Sequence, residues 1–362
     1  MRKNNFIISD WIFFLLVICI LGFSLIVMYS ATYKMIDMGF AADYWIKQSV
    51  WMSIGLIFMV IIANIDYRNI GYLTYLLYSI NLFLLFLVLS IGKKVSGARR
   101  WISISGFTLQ PSEFMKITTI LALAWYLHRT QNQKWGLKKF FVSGLITMAP
   151  MILILKEPDL GTTLVFVAIY FSIIFISGAP LKYLFTLIIG AIVSSPVAWM
   201  FLKEYQKKRL FIFLNPYDDQ FGAGWPIIQS KIAIGSGKLF GKGWLKGTQT
   251  QLDFLPEHHT DFIFSVLGEE WGFIGGAVLI VLFFLLLARA VNIAYSSRDE
   301  FGALLITGIV AMIFFQVIVN IGMTFGLMPI TGLPLPLVSY GGSSILTSMV
   351  SLGLILSVRK RS

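Results

Sequence analysis

Runs of apolar residues, each interrupted by polar or Gly/Pro clusters, recur along the whole chain. They fall at roughly 11–29, 45–63, 71–91, 112–127, 141–156, 161–177, 183–202, 263–288, 301–321 and 343–358. Crossing a bilayer core takes about 20 mostly apolar residues, and only helices or closed barrels satisfy their backbone there. The pattern therefore predicts an all-α polytopic membrane protein with about ten transmembrane helices. The fourth and tenth runs are on the short side. Residues 1–362 read as one integral membrane domain, within which 203–262 forms a single large extracellular loop. Met1-Arg2-Lys3 ahead of an apolar run resembles a leader, but further spans follow it, so an uncleaved first span is expected.

Ten spans place both termini on one side. With both inside, the inner segments hold Arg2, Lys3, Arg68, Arg129, Lys134, Lys138, Lys139, Lys182, Arg289, Arg298, Arg359, Lys360 and Arg361. The short outer loops hold Lys34, Lys93, Lys94, Arg99 and Arg100. Cytoplasmic loops attract Lys and Arg, so both termini are expected in the cytoplasm.

Composition sharpens this picture. Of 362 residues 57% are hydrophobic and 13% charged, which excludes a water-soluble enzyme, a disordered chain and a secreted disulfide scaffold. Cys19 is the lone cysteine, so no internal disulfide is available. The net charge of +12 does not point to nucleic acid, because no stretch could fold as a basic soluble module. Part of it serves topology. The remainder is concentrated in the outer segment 92–111 and in the loop 203–262, where Lys203, Lys207, Lys208, Arg209, Lys231, Lys238, Lys242 and Lys246 lie. Such charges serve either lipid headgroups or an anionic group at the outer face, and Arg forks and Lys point charges suit phosphate oxygens.

Candidate chemistry follows from charges at membrane depth, which are costly and so functional by default. Glu113 and Lys116 open the fourth span at i, i+3, either as a structural ion pair or as the lining of a polar cavity. Glu157 and Asp159 sit in KEPDLGTT, a tight connection in which Asp159 could serve as turn and cap, or the two carboxylates beside Lys156 could help bind a cation or orient a polar substrate. Asp261 precedes the apolar start of the eighth span, with Thr260 or Asp261 as the expected cap. A carboxylate at such a boundary can be made more basic by desolvation. Glu269 and Glu270 lie deeper, and at least one is expected to pair structurally. His128 reads as a surface residue. His258 and His259 are adjacent and so an unpromising chelating pair. No nucleotide fingerprint, metal-spaced His/Cys cluster or strong internal repeat is present. Residues 320–344 carry three prolines and five glycines at membrane depth, which predicts a re-entrant or broken segment before the last helix, beside a site.

These strings together resemble the shape, elongation, division and sporulation (SEDS) family of polytopic bacterial proteins. The resemblance rests on Asn320, Gly326-Leu327, Pro329, Gly332-Leu333 and Leu337-Val338-Ser339-Tyr340-Gly341-Gly342-Ser343-Ser344. It is extended by GARRWI at 97–102, LQPSEFMK at 109–116, EPDLGT at 157–162 and the run 209–237. The string GTQTQLDFLPEHHTDFIF at 247–264 favours the rod-shape branch over the cell-division branch. The resemblance implies a peptidoglycan glycosyltransferase in the bacterial cytoplasmic membrane, polymerising lipid II at the outer face with Asp261 as the catalytic residue. It carries Glu113, Lys116 and Asp159 over as family positions in the cavity, with Ser339, Gly341 and Gly342 in the family signature. The implied partners are a class B penicillin-binding protein, other membrane proteins of the elongation complex and the undecaprenyl-diphosphate-linked glycan itself. Inverting transfer needs a base on the acceptor hydroxyl and positive charge on the leaving diphosphate. Arg99, Arg100, Lys208 and Arg209 are candidates for that charge because they share a side with Asp261. No nucleotide cofactor is required, although a divalent cation (magnesium or manganese) could share the work. The competing expectations are a lipid II flippase, with Glu113 and Lys116 lining a path, and a non-catalytic scaffold for the transpeptidase.

Overall fold

A computed structural model describes residues 10–37, 44–95, 98–104, 107–201 and 204–362. All ten expected apolar runs are helices, and most extend past the run. They are α1 (Trp11–Asp37), α2 (Tyr44–Asn64), α3 (Tyr67–Ile91), α4 (Pro111–Arg129), α5 (Leu137–Lys156), α6 (Leu160–Ile176), α7 (Leu181–Phe201), α11 (Ile263–Tyr295), α12 (Glu300–Thr324) and α13 (Gly342–Arg361). Seven of these, α1, α2, α3, α5, α11, α12 and α13, are long and apolar enough to cross a membrane. α6 and the Leu181–Val197 stretch of α7 are apolar but shorter.

α4 carries Glu113 and Lys116, and the structure supplies the reason it tolerates them. It is buried along almost its whole length, packed among α3, α5, α12 and α13. A helix surrounded by protein need not present an apolar face to lipid, so polar groups there can find partners. α13 is likewise an interior helix, lying along α2. α7 is the opposite case, with its described side chains largely exposed and its contacts made mainly to α6. Ends are set by local chemistry. Asp66, Asp159 and Asp299 cap α3, α6 and α12 by accepting the amides of Arg68, Thr162 and Gly302. Pro111 occupies the first turn of α4, where its missing N–H costs nothing.

Two expectations need correcting. The chain is not all-α, since residues 93–95, 98–104 and 107–109 form an antiparallel three-stranded sheet in the order β1 (Lys93–Val95), β2 (Ala98–Ile104), β3 (Phe107–Leu109). Its register pairs Ile102 with Leu109 and Ile104 with Phe107, and β-branched residues spaced two apart in ARRWISI favour this over an open loop. The long segment after α7 is also far from structureless. It holds α8 (Glu204–Leu214), a 3-10 turn (Pro216–Asp219), α9 (Trp225–Gly237) and α10 (Thr248–Gln251). Ser230 of α9 donates to the Thr324 carbonyl (2.6 Å) and meets the Ser265 hydroxyl (2.7 Å), so α9 is docked onto the bundle.

Between α12 and α13 the chain is non-helical, as its prolines and glycines require, yet Leu333, Leu335, Leu337, Val338 and Ser339 are buried.

Candidate active site

The turn at 257–262 shapes the site. The amides of Thr260, Asp261 and Phe262 all converge on the Glu257 carbonyl (3.1–3.3 Å). α11 then begins at Ile263, with Phe262 at the N-cap and no side-chain cap, so neither Thr260 nor Asp261 has the capping role expected for them. Because the local amides already have acceptors, the Asp261 carboxylate is left free. Among the described residues it accepts no hydrogen bond.

The backbone of Asp261 is held firmly. The buried Asn320 amide of α12 donates to the carbonyls of Asp261 (3.1 Å) and Leu333 (2.8 Å). Ser339 donates to the Thr260 carbonyl (2.6 Å) and accepts from the Leu335 amide (2.8 Å), and the Tyr340 amide reaches the His259 carbonyl (3.0 Å). The non-helical segment 325–341 thus acts as a cradle for the turn. Gln48 of α2 fixes the cradle in turn, donating to the Ser339 carbonyl (3.0 Å) and accepting from the Gly341 amide (3.4 Å). At Gly332, with φ of 72°, an added Cβ would sit 3.7 Å from the Asp261 carboxylate. A side chain there would be strained by the positive φ and would stand in contact with the carboxylate. Gly342 is needed for a different reason, since any Cβ would collide with the Trp51 ring of α2.

Charge around Asp261 is mixed. Burial, then the nearby Glu257 carboxylate, pushes its carboxyl up to about 6, while Arg209 and Arg100 pull it down and Asp159 adds a further push upward. Asp261 keeps part of its surface open even though protein surrounds it, which is the setting of a cleft wall. Arg209, Arg100 and Asp159 are therefore gathered within electrostatic reach of Asp261. Arg209 donates to the Ile330 carbonyl (3.3 Å) on the cradle. Arg100, on β2, donates to the carbonyls of Glu157 (3.0 Å) and Pro158 (2.5 Å) and pairs with Asp159 (3.4 Å). Asp159 also accepts the amide (3.1 Å) and hydroxyl (3.0 Å) of Thr162. It combines capping with an ion pair. Gly161, just inside α6, lets that helix close onto Thr331 and Leu333 of the cradle.

Other expected residues sit elsewhere. Lys208 pairs with Asp219 (2.7 Å) on an exposed face. Arg99 lies on β2, and its side chain falls outside the described residues. Glu113 and Lys116 form a buried ion pair (2.7 Å) within α4, and among the described residues no ion pair or hydrogen bond joins them to Asp261. The histidines do not form a chelate. His258 Nδ1 lies 2.8 Å from the Leu255 carbonyl, and His259 stacks on Tyr44 with ring centroids 4.7 Å apart. Burial lowers the pKa of His259 and keeps the ring neutral.

Sequence reasoning did not single out Gln48 or the unpartnered state of Glu157. Both carboxyl oxygens of Glu157 are buried without a hydrogen-bond partner, and burial beside Asp159 pushes the group up to about 8. Gln48 had no signal beyond being a polar residue in an apolar run. A metal fits poorly. Among the described residues no three His, Cys, Asp or Glu side chains gather as a ligand set, and the Asp159 carboxylate is already engaged by Arg100 and Thr162.

Comparison with known proteins gives this geometry a context. Residues 10–362 match the FtsW/RodA/SpoVE family of cell cycle proteins. The peptidoglycan glycosyltransferase RodA of Treponema pallidum is 35% identical, over 97% of this chain and 98% of the relative. The peptidoglycan glycosyltransferase MrdB of Escherichia coli is 39% identical over 95% and 91%. A chain solved within a peptidoglycan synthase complex that coordinates polymerization and crosslinking superposes with a TM-score of 0.82, at 34% identity over 97% of this chain and 98% of the other. With its signature strings, its helical bundle and its full-length relatives in agreement, the chain belongs to the FtsW/RodA/SpoVE family, the SEDS family its sequence resembles.

Proposed function

We propose that this chain is a RodA-type peptidoglycan glycosyltransferase that polymerises lipid II at the outer face of the cytoplasmic membrane, with Asp261 as the general base. The observation that carries the reading is the free Asp261 carboxylate, raised to about 6 and within electrostatic reach of Arg209 and Arg100. A base near 6 is deprotonated at neutral pH yet more basic than an exposed aspartate, which suits removal of a proton from the acceptor hydroxyl. The acceptor oxygen then forms the new β-1,4 bond as the bond to the α-linked diphosphate breaks, inverting the sugar carbon. The electron pair leaves with the diphosphate, and the proton passes to Asp261. Arg209 and Arg100 supply positive charge toward the departing diphosphate. No step is assigned to a divalent cation, for want of a gathered ligand set.

The membrane reading that accompanies this has ten spans, both termini in the cytoplasm, and the segment 203–262 outside. α4, α6 and α7 complete the seven long apolar helices. The cradle at 325–341 is then a re-entrant segment buried in protein, where irregular backbone is tolerated. A class B penicillin-binding protein is the proposed partner, in keeping with the synthase complex in which the similar chain was solved.

The deciding experiment supplies purified protein with lipid II in detergent, where no second compartment exists for a transporter to fill. Glycan polymer is expected from the wild type, and Asp261→Asn is expected to lower the rate by about 10²–10⁴-fold. Undiminished polymer from folded Asp261→Asn would overturn the assignment. Absence of polymer from the wild type would favour a transport or scaffold role.

A further inference from the structure

α11 is continuous from Ile263 to Tyr295 except at Gly272, whose φ of 63° and ψ of −158° break the helix. In an unbroken helix the amides of Phe273 and Ile274 would bond the carbonyls of Glu269 and Glu270. Here Phe273 and Ile274 donate instead to the carbonyls of Lys238 (2.8 Å) and Leu239 (3.2 Å). The orphaned carbonyls of Glu269 and Glu270 accept from the amides of Lys242 (3.0 Å) and Gly243 (3.0 Å). Two helical hydrogen bonds have been opened and a strap, residues 238–243, spliced between their halves. Gly241 and Gly272 meet at the splice, where a Cβ on Gly272 would lie 2.7 Å from the Leu239 carbonyl.

The side chains at the break carry the chain onward. The fully buried Glu269 carboxylate accepts from Lys242 Nζ (2.6 Å), Thr248 Oγ1 (3.2 Å), the Gln249 amide (3.0 Å), and both the amide (3.3 Å) and hydroxyl (3.4 Å) of Thr250. Glu270 accepts from the Ser30 hydroxyl of α1 (2.6 Å). Gln251 donates to the Ser30 carbonyl (3.1 Å). One carboxylate therefore gathers the strap and α10, the element from which the chain runs directly into the turn bearing Asp261. The same carboxylate projects from the short helical half, 263–271, that Asp261 precedes.

We infer that Glu269 is a positioning residue for Asp261: by binding the strap and α10 to the first half of α11, it closes a ring of backbone that fixes where the Asp261 carboxylate stands. This rests on Asp261 being the base. The four backbone bonds of the splice hold the strap, and the buried Glu269 carboxylate adds α10 to it, which takes a full set of donors, of which Glu269 has five. Misplacement by even about 1 Å costs a large factor in rate, so opening the ring acts on turnover and not on affinity.

The test uses the purified full-length chain, fluorescent lipid II in detergent, and four proteins: wild type, Glu269→Gln, Lys242→Met and Asp261→Asn. Glu269→Gln is expected to lower kcat by about 10–100-fold with KM within about twofold. Its acidic limb is expected to move below the wild-type midpoint as Asp261 gains water, with Glu257, Arg209, Asp159 and Arg100 unchanged around it. Lys242→Met leaves four donors in place and should show a smaller fall in kcat with the same downward shift. Normal kcat and an unmoved midpoint in either folded variant would overturn the inference. A loss that merely tracks the folded fraction would also overturn it, since it marks a structural role alone. Should Glu269→Gln not fold, Lys242→Met decides. Asp261→Asn separates the two readings. An inactive Asp261→Asn beside a normal Glu269→Gln refutes only the positioning role, whereas an active Asp261→Asn refutes the base itself.

Discussion

Two carboxyl groups near the cleft are pushed upward by burial, and they lead to different measurements. For Asp261, at about 6, the deprotonated form is the active one, so polymerisation should rise with pH through about 6 and level off above it. A rate profile on lipid II from pH 5 to 8 checks this, and a flat profile would remove Asp261 as the base. Glu157 concerns stability. Its folded pKa of about 8 exceeds its unfolded value near 4.5, so the folded state holds the proton more tightly. Stability from this group is present at low pH and is lost as pH rises from about 4.5 to 8. Glu157→Gln removes that loss. Its thermal stability relative to wild type should therefore improve by about 2–4 kcal/mol between pH 5 and pH 8. An unchanging difference across that range would mean Glu157 is not held protonated. In the sequence Glu157 is indistinguishable from an ordinary turn residue, because the missing partner is a fact of three dimensions.

At the level of elements, apolar runs predicted the helices well because lipid-length hydrophobic segments have few alternatives. What they missed has a consistent cause. The sheet of β1, β2 and β3 depends on pairing between neighbouring segments, and α8, α9 and α10 depend on docking against the bundle, as when Ser230 meets Thr324. Neither leaves an apolar run. The cradle was legible because its prolines and glycines preclude a helix at any depth, whereas its partner Gln48, one polar residue in α2, was not. α4 offers a prediction of its own. Glu113 and Lys116 are buried together, and removing one partner strands the other charge. Glu113→Gln should cost about 3–5 kcal/mol in thermal unfolding, while Glu113→Leu combined with Lys116→Leu should regain most of it. If that double variant is stable and polymerises lipid II normally, the pair is a structural pin. If it is stable and inactive, the pair belongs to the reaction.

Across the whole molecule, interior and periphery divide the labour. α4 and α13 are enclosed, α7 is largely exposed, and the polar machinery gathers where α6, the cradle and the start of α11 meet. The ten-span arrangement can be checked by labelling in a Cys19→Ser background. Phe221→Cys, exposed after the 3-10 turn, should react with a membrane-impermeant maleimide from outside. Ser296→Cys, exposed between α11 and α12, should react only once the membrane is opened. The opposite pattern would invert the topology. The strap at 238–243 bears on how the gene can change. Surface connections usually tolerate added residues, since lengthening a flexible loop costs little closure entropy. The connection at 130–136 should follow that rule. Residues 238–243 should not, because two carbonyls and two amides there stand in for a helix's own at fixed spacing. One inserted residue would put them out of step with Glu269, Glu270, Phe273 and Ile274, so this segment should keep its length as strictly as a turn of helix does.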